Sequence, residues 1–127
     1  MDSGQVESPH KGKTGLRRIW NALFYSFAGL KAAYQHEDAF RQEVWLAVVL
    51  IPLALFLPAS GTGKSMMIAS VVVVLIVELL NSAVEATVDR VSLEHHRLAK
   101  RAKDIGSAAV LFSLINVVVV WLLVLFG

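Results

Sequence analysis

The chain has 127 residues, 56% of them hydrophobic and 17% charged, with no cysteine and a net charge of +2. That balance is too apolar for an ordinary soluble domain of this length, and it leaves room for one domain of three membrane spans of about 20 residues each plus a tail. The lack of cysteine excludes a disulfide framework, a thiolate metal site and a cysteine nucleophile.

Residues 1–14 hold Gly, Ser, Pro, Lys and His without periodicity and read as a disordered tail ahead of a single membrane domain, 15–127. This polar start does not look like a cleavable signal. From Gly15 to Gln35, the residues Leu16, Trp20, Leu23, Phe27, Leu30 and Tyr34 recur every three or four positions and so share one helical stripe. The spacing predicts an amphipathic helix over about 15–35, suited to lying along the headgroups. Its opposite face carries Arg18, Ala22, Tyr25, Gly29 and Ala32. Small side chains between an Arg and a Tyr suit either a flat ligand or close packing against another helix.

His36-Glu37-Asp38 interrupts that pattern, and an apolar run follows from Val44 to Leu57. Fourteen residues rise only about 21 Å, short for a span, so the first span is placed at about 38–57. Pro52 lies inside it, and Pro58-Ala-Ser-Gly-Thr-Gly reads as a turn. A second span is expected at about 66–87 and a third at about 105–126, with the polar stretch Asp89 to Asp104 between them. Of the twelve Lys and Arg, six precede or enter the first span, five surround the second connection, and Lys64 alone lies in the first loop. The positive-inside rule then puts the N-terminus and the second connection in the cytoplasm and the C-terminus outside. The positive charge is a membrane-topology signal, and no nucleic-acid partner is expected.

Gly61-Thr-Gly-Lys-Ser65 resembles the end of a phosphate-binding loop, but that motif needs a Gly five residues before Gly63, where this chain has Pro58. The motif also joins a strand to a helix in an α/β sheet, whereas this stretch joins two spans and reads as a plain turn.

Glu78 is the most informative residue. It stands in the otherwise apolar run Met66 to Leu80, where an ionised side chain costs at least about 2.5 kcal/mol, so it marks a functional site by default. At 100° per residue, Ser82, Glu85 and Asp89 fall within about 40° of Glu78, with Asn81 about 60° from it. Glu85 lies about 10 Å further along the helix, at the expected cytoplasmic boundary. Such a stripe offers a proton acceptor within the lipid and a metal-binding carboxylate at the water edge. A hydrogen-bonded seam between identical helices is the plainer alternative. Glu37, at the cytoplasmic end of the first span, is expected at a depth similar to Glu85. Two carboxylates together with substrate phosphates suit Mg²⁺, and Lys103 with the other bases of the second connection would offset phosphate charge.

These residues fall into a recognisable pattern. Glu78-Leu-Leu-Asn-Ser-Ala-Val-Glu-Ala-Thr-Val-Asp-Arg90, with Ala102-Lys-Asp-Ile-Gly-Ser-Ala-Ala109 and Glu37-Asp-Ala-Phe-Arg-Gln-Glu43, resembles the prokaryotic diacylglycerol kinase family. The resemblance runs from about Gly15 to Gly127, with the motifs in order. It implies an all-α membrane protein: a homotrimeric helical bundle with three transmembrane helices and an N-terminal amphipathic surface helix per subunit. It further implies transfer of the γ-phosphoryl of MgATP to diacylglycerol at the cytoplasmic face of a bacterial inner membrane, giving phosphatidic acid. By position, Glu78 matches the proton acceptor and Asn81 its support; Glu37 and Glu85 match the metal carboxylates. Arg18, Tyr25, Glu37, Glu85, Glu94, His95, His96, Lys103 and Asp104 match ATP contacts, and Ala39, Arg41, Gln42, Glu43, Glu78 and Ser107 match positions beside the lipid substrate. His36 stands where an Asn is common in the family, and the Gly-Thr-Gly loop differs from its counterpart. Undecaprenol kinase of the same fold, and a small proton-coupled membrane transporter from another class, are the rival readings.

Overall fold

The computed structural model describes residues 11–91 and 97–127, with side chains from Gly15 onward. Those residues form four helices: α1 (Lys11–His36), α2 (Asp38–Phe56), α3 (Gly61–Val91) and α4 (Arg97–Phe126). The all-α class is therefore as expected, and α2, α3 and α4 are long and apolar enough to cross a membrane.

The chain divides into two compact units, one holding α1 and the other running from Glu37 to Gly127. Within the first, α1 is one uninterrupted helix that begins at Lys11, inside the segment expected to be tail. Hydropathy does not report that first turn, because Lys11-Gly-Lys-Thr has no apolar period. Trp20 and Phe24 meet edge to face with ring centroids 5.3 Å apart, a contact that the i, i+4 spacing of a helix provides.

In the second unit α3 is the middle element, packed against α4 and, less extensively, against α2. Its buried face is a stripe of Gly63, Met67, Ser70, Val71, Val74 and Glu78, at steps of three and four residues. The stripe of α2 that is buried is Phe40, Ala47 and Ala54, one residue every two turns, and its alanines permit a close approach between backbones.

α3 and α4 are antiparallel, and four contacts fix their register. Val124 lies against Gly63, the indole of Trp121 donates to the Met67 carbonyl at 3.2 Å, Asn81 lies against Gly106, and Lys103 pairs with Asp89 at 2.7 Å. Each advance along α3 is matched by a retreat along α4, so the seam keeps one register over most of its length. Ser70 and Ser113, both buried, turn their hydroxyls back to the carbonyls of Met67 and Val110 at 2.7 Å, so each satisfies its own donor in the apolar zone.

The helices outrun the apolar segments. Gly61-Thr-Gly, read as a turn from sequence, is the first turn of α3. Ser60 explains this: its Oγ accepts the Gly63 N–H at 3.0 Å, and its carbonyl accepts the Lys64 N–H at 2.8 Å. Such a cap is worth about 1 kcal/mol. Lys64 Nζ then donates to the Leu55 carbonyl at 2.7 Å, satisfying the last turn of α2. α4 begins ahead of the expected 105, where Lys100 and Asp104 pair at 2.7 Å on one helical face.

Candidate active site

Glu78 is the last member of the buried stripe of α3 and only 4% exposed. Beyond it the same helix opens toward water by degrees: Asn81, Ser82 and Glu85 are half-buried and Asp89 is exposed. The polar stripe expected from helical spacing is thus present, with its acid groups graded from the interior to the surface. Glu43, Glu85 and Glu37 lie close enough for their charges to act on Glu78. Two of these three come from α2 and its N-cap, and the third from α3 itself.

Glu37 is the N-cap residue of α2, in an extended conformation, and its carbonyl accepts the Arg41 N–H at 3.1 Å. Its carboxylate makes no capping hydrogen bond. Arg41 is committed to an ion pair with Asp38 one turn away. Ala39 and Gln42 are exposed beside it. Glu43 lines a crevice of about 190 Å³ between the three spans, whose other walls are Leu46 and Leu50 of α2, Val71 and Val74 of α3, and Leu114, Val117 and Val118 of α4. One carboxylate at the edge of an apolar cleft is the arrangement expected of a site for an amphiphile.

Asn81 presents the other anomaly. Its Oδ1 is buried with no hydrogen-bond partner among the described residues. It faces Gly106, where an added Cβ would collide with that oxygen and stand 3.2 Å from Cγ.

At the head of α4, Lys103 reaches across to Asp89, and Asp104 is held by Lys100. Arg97, Lys100 and Arg101 line a shallow depression of about 400 Å³ with Asp104, Ile105 and Ala108. Ser107 is exposed one turn further on. Arg18 and Tyr25 are both exposed on α1. Glu94, His95 and His96 lie outside the described residues. Among the described residues no three His, Asp or Glu converge as a metal-binding group, so any metal near Glu37 and Glu85 would need further oxygen ligands from a substrate.

Sequence reasoning named Glu37, Glu78 and Glu85 from their spacing but did not foresee the Gly106 contact or the Asp89–Lys103 bridge. The only sequence signal for the first was the small-residue run Gly106-Ser-Ala-Ala109 opposite a polar stripe.

Fold and site together define a helical membrane protein whose middle span carries a buried acid that leads to a surface cluster of carboxylates and bases. The sequence model of prokaryotic diacylglycerol kinase matches residues 24–125, and the chain belongs to that family. It is similar to the diacylglycerol kinase of Pseudomonas aeruginosa, 58% identical over 120 residues that cover 94% of this chain and 98% of the relative. The Haemophilus influenzae diacylglycerol kinase is 50% identical over 108 residues, 85% of this chain and 92% of the relative. For the Escherichia coli K12 diacylglycerol kinase the figures are 46% over 114 residues, 90% and 93%.

Proposed function

We infer that this chain is an ATP-dependent lipid kinase that phosphorylates diacylglycerol to phosphatidic acid, with Glu78 as the proton acceptor. The observation that carries the assignment of the base is a carboxylate 4% exposed at the inner end of a graded acidic stripe, within charge range of Glu37, Glu43 and Glu85. A lipid hydroxyl is a poor nucleophile, and a carboxylate withdrawn from water is better matched to it than an exposed one. Glu78 takes the hydroxyl proton as the new O–P bond forms, and the β–γ bridge breaks to release ADP. Asn81, one helical turn from Glu78, supports the carboxylate.

Glu37 and Glu85 fit Mg²⁺, which is held by one or two carboxylates and substrate phosphates rather than by a full protein cage. Glu37 sits at the N-cap of α2 and Glu85 is half-buried on α3, and both carry charge that acts on Glu78. When bound, the ion neutralises charge on the phosphates. Lys103 and Asp104, with Arg18, Tyr25, Glu94, His95 and His96, are proposed to hold the nucleotide. The diacylglycerol tail is proposed to occupy the crevice beside Glu43, with Ala39, Arg41, Gln42 and Ser107 near the headgroup.

The basic residues around the N-terminus and the second connection support a cytoplasmic site on a bacterial inner membrane. A homotrimer is proposed as the working form. Asn116 is exposed within the apolar run of α4, where lipid offers its amide no hydrogen bond and a neighbouring helix would.

The test is incorporation of label from γ-labelled ATP by the purified chain, with diacylglycerol and undecaprenol offered in parallel. Label in phosphatidic acid is the expected result. Label in undecaprenyl phosphate alone would move the chain to the rival acceptor, and label in neither would remove the kinase reading.

A further inference from the structure

Gly106 stands deep inside α4, where glycine is disfavoured relative to alanine, so its presence calls for a local reason. The reason is on the facing helix. Any Cβ at position 106 would run into the Asn81 amide oxygen. That oxygen is itself buried and has no hydrogen-bond partner among the described residues, so its position is set by packing against α4.

Gly63 provides the contrast. Its missing Cβ leaves room for a Val124 methyl, which would stand 2.8 Å away, and across the seam that contact is apolar, the Ser60 Oγ that would stand 3.4 Å away being the cap of Gly63's own helix. The same device therefore admits packing at one end of the seam and a polar side chain at the other. Asn81 is three residues from Glu78, so the two are neighbours on the surface of α3. With the amide oxygen turned to α4, the amide nitrogen lies on the other branch of the same plane. The seat of the Asn81 amide, one helical turn from Glu78, is thus set from across the seam.

We propose that Gly106 is a positioning residue of the phosphoryl-transfer site: by lacking a side chain it seats the Asn81 amide against α4 and thereby fixes it beside Glu78. The proposal rests on the kinase reading, through the roles given to Glu78 and Asn81. Gly106 touches neither substrate, and its effect passes through Asn81.

The experiment is a double-mutant cycle of Gly106→Ala and Asn81→Ala, with Gly63→Ala as a packing control. kcat, both KM values and the thermal midpoint are measured, together with the Asn81 side-chain amide resonance in ¹⁵N-labelled protein. Gly106→Ala is expected to lower kcat by about a hundredfold, the scale of a misplacement of about 1 Å, with KM for ATP nearly unchanged. It should shift the Asn81 resonance and have little further effect on kcat in the Asn81→Ala background. Gly63→Ala should lower the thermal midpoint and keep kcat. Equal fold-losses from Gly106→Ala in both backgrounds, or an unmoved Asn81 resonance, would overturn the proposal. If Gly106→Ala does not fold, the double variant must, because shortening Asn81 removes the collision, and a double variant that also fails overturns it. An inactive wild type would instead overturn the kinase reading, while the resonance still reports on the seat.

Discussion

At one end of the α3–α4 seam, Gly63 admits a Val124 methyl and Trp121 donates to the Met67 carbonyl. At the other, Gly106 admits the Asn81 amide and Lys103 bridges to Asp89. At the first end the buried serines bond to their own helices and Ser60 caps α3. The second leaves a buried acceptor unmet and gathers carboxylates around Glu78. A membrane protein can afford local cost where the remainder of the same helix pair supplies the stability, and here the cost falls beside the proposed base. Substitutions at the polar end should therefore change turnover, and those at the apolar end should change stability.

The largest separation is expected at Glu78. Glu78→Gln keeps the shape and removes the base, and steady-state assay should show kcat lower by about 10²–10⁴-fold or more. A variant with normal turnover would erase the distinction between the ends. Next come Glu37→Gln and Glu85→Gln. Each should raise the Mg²⁺ needed for half-maximal rate by about tenfold, equivalent to about 1.4 kcal/mol of metal binding, as read from Mg²⁺ titrations of activity. Unchanged titrations in both would remove the metal assignment.

Lys103→Met should produce a smaller effect of a diagnostic kind. Exposed ion pairs contribute little to stability, so losing the bridge to Asp89 should leave the thermal midpoint almost where it was. KM for ATP should nevertheless rise several-fold if Lys103 serves the phosphates. A change in midpoint with no change in KM would make the residue purely structural. The smallest effect on catalysis is expected from Trp121→Phe, which loses one hydrogen bond to Met67. Denaturation should show a loss of about 1 kcal/mol, with kcat retained.

The apolar end was largely legible in the sequence, because a long uncharged run with helical period has few alternatives in a bilayer. The ends of its helices were not. Ser60 caps α3 through a side-chain oxygen, and the charged turn around Lys100 continues α4, features to which hydropathy is blind. At the polar end, the residues on α3 could be read because a single helix fixes the angles between Glu78, Asn81 and Glu85. Glu43 was named only through family resemblance, and its place in the cleft depends on how α2 leans on α3 and α4. Gly106 was beyond reach for the same reason. Its importance exists only once the α3–α4 register is known, and nothing local to Ile105-Gly-Ser107 encodes that register.

The central claim is that the buried acid at the polar end removes the proton from the lipid hydroxyl and does not serve to bind ATP. Its most direct test is a single turnover: Glu78→Gln protein loaded with MgATP carrying γ-label, mixed with diacylglycerol, and followed for label in phosphatidic acid beside the wild type. Nucleotide retained as in the wild type, with almost no label transferred, is the predicted result. Transfer at the wild-type rate, or loss of bound ATP as the cause of inactivity, would contradict it.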